Sequence, residues 1–414
     1  MPIGAIPHLK QTVLDRTFEA FNPPPELVLT NLFGSEPADS DKIQWTTLHG
    51  SRGMAPVIPP DTPSPLHSLP GHAKHEAQAM FWSEKIPFSE NFLNNLADPS
   101  NPYVKQSALS VLSRGMKDLS NRSYRRKEWT FAKMMTAGGF DYVDSNKMTA
   151  SVDYGIPAAQ RVTLSSDYKW GTGTKADMLG DIITAKQAVN DETGAFVSHA
   201  MFNSTVLKLL TTNDKIIALL QKNAFGDGNL FGGPDMHSIL GRSKAVIQRL
   251  LDIDNFIEYN DGYNARAWLT ASVTGGATTT VSVNDARDFE AGGTLRFYNA
   301  TTGAYEEKTV SSVDAAANTV TVSEAPAKSY RALYDYVEMK RKFIPDNTIV
   351  FFASSVGGDK IATFMEPPFG LSGHRGIQPD AWDKKDPDLI YVRLQGKGLP
   401  ILYHPEAVYI LKVE

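Results

Sequence analysis

The sequence contains no cysteine, which excludes disulfide bonds, thiolate zinc sites and a cysteine nucleophile. No segment reaches the roughly 18 to 20 consecutive apolar residues that cross a membrane. The first residues lack the basic and then apolar layout of a signal peptide, so we expect a cytoplasmic product. Positive charge is not in excess either, since the formal net charge is −5. This balance argues against a protein that coats nucleic acid, because such binding depends on surplus lysine and arginine.

The composition is typical of a soluble folded protein. The chain has 414 residues, of which 42% are hydrophobic and 21% charged, enough for one large domain or two to three ordinary ones. Residues 1–45 alternate short apolar runs with proline, glycine and aspartate, which predicts an extended arm with one short helix near residues 10–20. Because such an arm gains little from a core of its own, we expect it to pack on another surface.

A proline-rich segment follows the arm. Six prolines lie among glycine and serine between residues 56 and 70, which predicts a long irregular or hairpin excursion over residues 46–95. Such loops are uncommon inside compact domains and are usually functional or disordered. Two large aromatic residues, Phe81 and Trp82, come soon after the prolines and indicate a surface that a partner buries. We therefore expect residues 46–95 to gain order mainly on assembly.

The clearest helix is predicted over residues 102–137. Pro102 suits the first turn, and apolar residues then recur at three-four spacing, as on one face of a helix. Gly138 and Gly139 provide the stop. At about 1.5 Å per residue such a helix spans roughly 50 Å, which is longer than a small domain needs. This length is typical of a helix that braces an extended protein.

A run of basic residues lies on this helix: Arg122, Arg125, Arg126 and Lys127. The run could contact nucleic acid, but a charge run on a helix is usually a solvated face or an intersubunit salt-bridge surface. We predict that these four side chains face acidic groups of a neighbouring subunit. Exposed ion pairs contribute only about 0–1 kcal/mol each, so the contacts would set register more than affinity.

The pattern is mixed between residues 148 and 260. It predicts strands over 148–165, helices over 175–190, 199–222 and 238–252, and a short strand at 255–260. Asn203 and Asn213 are placed to cap helices, and Asp177 or Thr174 is placed to cap the helix that follows them. The segment is therefore expected to form a mixed α/β domain.

The composition changes at about residue 270. Short runs that alternate apolar and polar residues are separated by turns as far as Pro326, which predicts a small all-β module over 270–328 inserted into a mixed host. Residues 348–354 and 389–395 are predicted as buried strands, and 399–414 as a strand pair that returns to the core. The small core of the module is expected from Phe289, Leu295, Phe297, Val310, Val313, Val320 and Val322.

The sequence offers no convincing catalytic or cofactor motif. Residues 171–177, GTGTKAD, lack the spacing and terminal order of a phosphate loop, and residues 226–237 lack the spacing and closing glutamate of a calcium loop. His67, His72 and His75 could hold a metal, but a proline-rich loop would not fix their geometry, so solvated loop histidines are favoured. We expect no cofactor and no metal. An enzyme would need a convergent polar pocket, which sequence alone does not show.

The order of the segments is arm, long loop, long helix, strand pair, α/β domain and terminal strands. Three stretches carry a family resemblance: RRKEWTFAKMMTAGGFDYVD at 125–144, SVDYGIPAAQRVTL at 151–164 followed by YKW, and LPILYHPEAVYIL at 399–411. In these stretches and in their order, the chain resembles the major capsid proteins of tailed bacteriophages, which share the Hong Kong 97 fold. The likeness covers most of the chain and is closer to the lambda-like branch.

The resemblance implies an α+β fold whose parts follow one another along the chain. These are an N-terminal arm (1–45), an extended loop (46–95), a peripheral domain with the long helix as its spine (96–165), an axial domain (166–398) and C-terminal strands (399–414). The β module at 270–328 is not required by the basic family shape. We expect it on the outer face of a shell, because its acidic residues would repel packaged DNA.

The resemblance also implies a structural function without catalysis: self-assembly into hexamers and pentamers of an icosahedral head shell that encloses double-stranded DNA. The expected partners are further copies of the chain, scaffolding, portal and decoration proteins, and DNA without sequence specificity, but no membrane. The expected location is the virion, after synthesis in the bacterial cytoplasm. Two alternatives stay open, a hydrolase or other enzyme with an accessory β domain, and a phage tail or adhesin component. The candidate intersubunit contacts are Arg122, Arg125, Arg126, Lys127, Phe81 and Trp82.

Overall fold

A computed structural model describes residues 10–48, 54, 57, 59, 63, 72–97, 102–143, 148–216, 247–249, 251–368, 373–385 and 388–414. The chain divides into two compact units. One, here called the host unit, comprises Met1–Tyr259 and Asp346–Glu414, and the other, the β unit, comprises Asn260–Pro345. Among the described helices, none is long and apolar enough to cross a membrane. The sequence-based helix at 238–252 and the glycine-rich stretch at 226–237 fall largely outside the described residues.

The helices all belong to the host unit. They are α1 (Gln11–Glu19), α2 (Val28–Phe33), α3 (Glu90–Ala97), α4 (Pro102–Ala137), α5 (Met178–Thr193) and α6 (Ser204–Thr212).

The strands fall into both units. Those of the first half of the host unit are β1 (Ser35–Pro37), β2 (Lys42–Leu48), β3 (His72–Gln78), β4 (Met80–Ser89), β5 (Gly139–Val143), β6 (Thr149–Asp153), β7 (Arg161–Thr163), β8 (His199–Phe202) and β9 (Asn255–Glu258). The β unit contributes β10 (Gly262–Trp268), β11 (Thr280–Ser282), β12 (Thr294–Tyr298), β13 (Tyr305–Asp314), β14 (Thr319–Val322) and β15 (Tyr336–Lys342). The host unit ends with β16 (Thr348–Phe352), β17 (Ser355–Val356), β18 (Asp359–Lys360), β19 (Ala362–Glu366), β20 (Ile377–Lys385), β21 (Asp388–Leu402) and β22 (Val408–Lys412).

The long helix α4 organises the host unit. It has 36 residues, or about 54 Å at 1.5 Å per residue. Leu112, Met116 and Leu119 form the buried stripe of its first half. From Lys127 to Ala132 every residue is buried, so this end of the helix is enclosed on all sides, as in the centre of a large core. Gly138 ends the helix with a φ of +75°, a conformation that glycine adopts without the clash that a Cβ would cause.

One sheet of the host unit packs against α4. Its strands run in the order β1–β19–β21–β20, and β4 also pairs with β21. β4 is hydrogen-bonded along its whole length, from Met80 opposite Gly398 to Ser89 opposite Leu389. Side chains of α1, α3, α4, β4 and β21 share one apolar cluster. Residues 80–89, predicted as part of the extended loop, are therefore a sheet strand in the single subunit.

The second sheet of the host unit has the order β7–β22–β16–β8–β9 and shares an apolar cluster with α5 and α6. The cap predicted at Asn203 is confirmed, since its side-chain oxygen accepts hydrogen bonds from the backbone N–H groups of Thr205 and Val206 at 3.1 and 3.3 Å. The cap predicted at Asp177 is wrong. Asp177 precedes α5, but its side chain makes no capping hydrogen bond there.

The linear domain boundaries predicted from the sequence do not follow the sheets. β19, β20 and β21 lie within residues assigned to the axial domain and the terminal strands, yet they join β4 in the sheet that packs on α4. β7, assigned to the peripheral domain, pairs in parallel with β22 in the other sheet. The two C-terminal strands, β21 and β22, are in different sheets and are not a pair. Alternating patterns of apolar and polar residues identify strands, but they do not show which distant strand each one pairs with.

The β unit is one antiparallel six-stranded sheet in the order β10–β15–β12–β13–β14–β11. The predicted boundaries 270–328 are too narrow, because β10 and β15 pair with each other on either side of them and belong to the unit. Of the seven core residues predicted, all except the half-buried Val313 are buried. The chain enters and leaves the unit on neighbouring strands, with Gly262 opposite Lys342.

This topology predicts that the host unit folds without the β unit. Replacing residues 260–345 by a short Gly-Ser linker should keep the host fold, because the two ends of the excised segment are adjacent and its core is separate. The matched control is deletion of 271–327 alone. It should have a lower thermal unfolding midpoint than the 260–345 deletion, since it leaves β10 and β15 without the rest of their sheet. Thermal unfolding and circular dichroism of the soluble subunits would test this. A 260–345 deletion that yields only unfolded protein would contradict it.

Candidate assembly surfaces

The basic run on α4 separates into exposed and buried members. Arg122, Arg125 and Arg126 are exposed, whereas Lys127 is buried. Arg126 lies over the ring of Trp129, with its guanidinium carbon 5.1 Å from the ring centroid. The sequence predicts one common role for the four cations, but the surrounding packing gives them different ones.

Lys127 has its partner in the same chain. Its ammonium group pairs with the carboxylate of Glu366 on β19, and both side chains are largely shielded from solvent. The ammonium also lies 5.1 Å from the ring centroid of Phe364 on the same strand. The predicted intersubunit role of Lys127 is therefore wrong. A buried ammonium needs a fixed counter-charge, and here β19 provides it.

The neighbouring residue, Glu128, carries a fully buried carboxylate that the sequence did not single out. Four groups donate hydrogen bonds to it: the backbone N–H groups of Leu29 and Thr30 at 2.9 and 2.7 Å, the Thr30 hydroxyl at 2.7 Å and the Tyr259 hydroxyl at 2.7 Å. Leu29 and Thr30 lie in the first turn of α2. That turn has leucine at its N-cap position and no local side-chain cap. Glu128 thus caps a helix about one hundred residues earlier in the chain.

The arm continues along the host unit after α2. β1 pairs in parallel with β19. The carboxylate of Asp41 forms an ion pair with the ammonium group of the buried Lys397 at a distance of 2.5 Å. The arm was expected to pack on another surface, and from α1 onward that surface is its own chain. The arm's described part is consequently a fixed component of each subunit.

Arg122 forms ion pairs within the chain. Its guanidinium contacts Glu84 on β4 at 2.7 Å and Asp118, one helical turn earlier, at 2.8 Å. All three side chains are more than two-fifths exposed. Arg122 therefore ties β4 to α4 at the surface, while Arg125 and Arg126 remain the exposed cations of the run with the freest approach to another molecule.

The side chains of Phe81 and Trp82 lie in different environments. Phe81 is exposed, as a contact for a partner requires. The indole N–H of Trp82 donates a 2.7 Å hydrogen bond to the hydroxyl of Ser123 on α4, and its ring lies so close over Gly396 that a Cβ there would meet it at 2.4 Å. Trp82 is thus mainly a packing residue of the subunit.

Three further apolar side chains are more exposed than Phe81 and Trp82. Met54 and Val57, in the proline-rich segment between β2 and β3, are 92% and 100% exposed, and Phe196, between α5 and β8, is 80% exposed. No periodic pattern marks them, because each lies in a connecting segment. The signal that could have found them is a large apolar residue among turn residues.

The histidines predicted as solvated loop residues do not share one environment. His75 lies on β3, where its ring stacks on Trp45 at 5.4 Å and contacts the Thr47 hydroxyl at 3.2 Å. His67 is outside the described residues. Over the part of the chain that the structure describes, no cluster of histidine and acidic side chains could hold a metal ion.

His199 is a buried histidine at the start of β8. Its ring stacks on Phe352 at 4.9 Å, and its two nitrogens contact the Ser198 hydroxyl at 2.8 Å and the Asn255 side-chain amide at 3.2 Å. Burial lowers the pKa of His199, against an opposing effect of Asp254. The ring lines a cavity of about 200 Å³ together with Phe33, Phe352 and Lys360 among others. The cavity has no convergent set of catalytic groups.

These features define a class of protein: a folded subunit with a fixed arm, no assembled catalytic centre among its described residues, and apolar side chains left for other molecules to cover. The chain belongs to the phage major capsid protein E family, whose sequence model matches residues 10–321. It is a shell-forming capsid protein, as the resemblance implied. No curated protein matches the sequence.

Two solved structures are similar to this chain. The putative capsid protein of a prophage of Escherichia coli CFT073 is 11% identical, with a TM-score of 0.52 over 97% of this chain and 96% of that chain. A phage-related protein from Bordetella bronchiseptica RB50 is also 11% identical, with a TM-score of 0.49 over 98% and 97% of the two chains. The family and the likeness to the Escherichia coli structure together give the chain the α+β capsid fold that the Hong Kong 97 resemblance predicted.

The geometry of Glu128 predicts a large loss of stability when its charge is removed. Glu128→Gln should lower the free energy of unfolding by about 3 kcal/mol, since hydrogen bonds to a charged group contribute roughly 1.5–3 kcal/mol each and an amide offers one acceptor oxygen instead of two. The exposed Glu192→Gln is the control and should change it by less than about 0.5 kcal/mol. Denaturant unfolding of dissociated subunits measures both values. An equal change in the free energy of unfolding in Glu128→Gln and Glu192→Gln would contradict the role of Glu128.

The environment of His199 predicts a pH dependence of folding. Its pKa in the folded state lies below the ordinary value of 6.5, so the unfolded chain takes up the proton first as the pH falls. The free energy of unfolding should therefore decrease as the pH drops through about 6.5. His199→Gln should reduce this slope, measured by denaturant unfolding at a series of pH values. An identical slope in the variant would show that His199 does not contribute.

Proposed function

We propose that this chain is the repeating subunit of an icosahedral phage head, arranged in hexamers and pentamers around double-stranded DNA. The observation that carries the proposal is the exposure of Met54, Val57 and Phe196 on the host unit, each at least 80% exposed. Covering one such side chain contributes about 1.5–3 kcal/mol. Further copies of the chain supply the cover in a shell.

The segment between β2 and β3 is the first proposed contact. β2 and β3 pair from Lys42 opposite Gln78 to Leu48 opposite His72, so they form the two strands of a hairpin whose connection is residues 49–71. That position suits the extended loop of a capsid subunit, which lies over a neighbour. Burial of Met54 and Val57 by that neighbour offsets the entropy of ordering the loop, of order 1–2 kcal/mol per residue.

The exposed cations of α4 are the second proposed contact. Arg125 and Arg126 meet acidic groups of a neighbouring subunit and set the register of the two copies. Each exposed pair contributes no more than about 1 kcal/mol, so the apolar contacts supply most of the affinity. Phe81, exposed at the start of β4, belongs to the same intersubunit surface.

The remaining assignments follow from membership of a shell. The protein acts structurally, with no catalytic step, and resides in the virion head after synthesis in the bacterial cytoplasm. Scaffolding, portal and decoration proteins and non-specifically packaged DNA are its further partners. The hydrolase alternative needs a polar centre that the described residues do not bring together, and placement of the β unit on the outer shell face stays a prediction.

Electron microscopy of purified protein tests the proposed architecture. Wild-type protein should form closed shells with five- and six-fold capsomers, and Phe196→Ser should form fewer of them at the same concentration while the dissociated subunit keeps its thermal unfolding midpoint. A wild-type protein that stays a stable compact monomer under all assembly conditions would contradict the proposal.

The register role of the two arginines predicts an assembly defect without a folding defect. Arg125→Glu with Arg126→Glu should slow or misdirect shell formation, since like charges then face each other across the interface. The charge-conserving pair Arg125→Lys and Arg126→Lys is the matched control and should assemble nearly as the wild type. Light scattering measures the rate of assembly of each double variant, and electron microscopy shows whether its products are closed shells. Normal shells from the glutamate variant would refute the assignment.

A further inference from the structure

One face of the β-unit sheet is a core face and the other is open. Along β10, β12 and β15 the residues alternate strictly, so Ala265, Ala267, Leu295, Phe297 and Val337 enter the apolar cluster. The residues between them lie on the opposite face, where the side chains are exposed or half-buried except that of Glu338, which is 6% exposed and pairs with Arg266. Two successive rows of side chains cross four adjacent strands on this open face.

The first row is aromatic. Strand pairing places Trp268 of β10 opposite Tyr336 of β15, Tyr336 opposite Tyr298 of β12, and Tyr298 opposite Tyr305 of β13. Their rings form a continuous series with centroids 5.1 to 5.2 Å apart. Four aromatic residues in register across four strands make a large, stiff apolar surface.

The second row is charged and alternates in sign. Two residues along each strand from the aromatic row lie Arg266, Glu338, Arg296 and Glu307, in that order across the sheet. Arg266 contacts Glu338 at 2.6 Å, and Arg296 contacts Glu307 at 2.8 Å. The signs read plus, minus, plus, minus. The row therefore has no net charge that would attract a strongly anionic or cationic partner.

A rigid loop extends the aromatic row at the edge of the face. Leu333 is 76% exposed and Tyr334 65% exposed, and Leu333 has a φ of +64°, which is strained for a residue with a side chain. The carboxylate of the fully buried Asp335 holds this loop by accepting from the backbone N–H groups of Ala300 and Arg331 at 2.9 and 2.7 Å. The Leu333 N–H donates to the carbonyl of Leu269, next to Trp268, at 2.8 Å.

We propose that this open face of the β unit pairs with the same face of a second copy of the chain, about a two-fold axis parallel to the strands. The inference rests on the proposed function, because a shell brings many copies together. Such an axis reverses the order across the sheet. Each position of the row then faces its opposite: Arg266 meets Glu307 of the second copy, and Glu338 meets Arg296 of the second copy.

The sign pattern is what selects the second copy as the occupant. An alternating row of four charges is complementary to its own reversal, and the aromatic row is matched in the same operation. Tyrosine, tryptophan and arginine are also the residues enriched at the centres of protein interfaces. A chemically different partner would need no such self-complementarity.

The size of the face explains why it is open in the single chain. Four strands about 4.8 Å apart and some seven residues long cover roughly 400 Å² per partner, well below a standard stable interface. The pairing is therefore weak between free subunits. It becomes effective when the host units hold the copies at high local concentration in a shell.

Charge exchange within the row tests the pairing. Arg296→Glu with Glu307→Arg retains both pairs of opposite charges inside the chain. It makes the row plus, minus, minus, plus, so every charge faces its like across the axis. Arg266→Glu with Glu307→Arg is the matched control. It gives minus, minus, plus, plus, which disrupts the pairs within the chain and still faces opposite charges across the axis.

Cross-linking supplies the readout, because the chain has no cysteine. Asn264 and Thr309 are exposed on the same face, on β10 and β13, and the axis brings Asn264 of one copy opposite Thr309 of the other. Shells mixed from Asn264→Cys copies and Thr309→Cys copies should give covalent dimers with a bismaleimide of about 10 Å span, the usual spacing of packed sheets. The dimer yield should fall about tenfold in the Arg296→Glu, Glu307→Arg background and stay near the original in the control background.

The outcomes separate this inference from the proposed function. Intact shells that give no dimers, or an equal yield in both charge-exchanged backgrounds, overturn the pairing and leave the shell function standing. Saturation of the face by a soluble neutral oligosaccharide or by a separate protein, with no dimers, also overturns it. Failure of the wild-type chain to form shells would instead contradict the proposed function. Thermal unfolding of each dissociated variant shows that the β unit is still folded.

Discussion

The carboxylate of Glu128 is buried in the middle of the host unit and accepts hydrogen bonds from two backbone N–H groups and two hydroxyls. A buried charge costs several kcal/mol unless such partners surround it, so the arrangement holds only while all of them are in place. Three of the four donors belong to the start of α2. Glu128 is therefore one of the contacts that fix the arm to the long helix.

Lys127, the residue before Glu128, extends the same constraint to the other side of the helix. Its ammonium group pairs with Glu366 on β19, and β19 in turn pairs with β1 of the arm and with β21. Successive residues on a helix point about 100° apart. Two adjacent buried charges can thus anchor two different elements, and together they lock arm, helix and sheet into one body. Arg125 and Arg126, one turn away or less, lie on the face that this packing leaves open.

The sequence was sufficient for the elements that carry their own local signal. The long helix has a proline start, a double-glycine stop and a periodic first half, and the β-unit strands have strict alternation between turns. The buried end of the helix follows neither pattern, because residues 127–132 are enclosed on all sides. There the sequence pattern predicts an intersubunit contact at Lys127 and does not single out Glu128. Their burial is possible because of partners distant in sequence: Glu366 for Lys127, and Leu29, Thr30 and Tyr259 for Glu128.

Distant pairing also explains why the domain boundaries were misplaced. A strand pattern shows which face is buried but not which strand lies beside it, so the sequence did not indicate that β7 pairs with β22 or that β21 pairs with β4. In the interior of the β unit the alternating runs were sufficient to identify the strands, although only β12, β13 and β14 pair in sequence order. The limits of the unit were missed because β10 and β15 pair across the whole unit, from Gly262 opposite Lys342 to Trp268 opposite Tyr336. That closing pair joins the insertion to its host by two adjacent strands, which lets the unit keep an apolar core and an open face of its own.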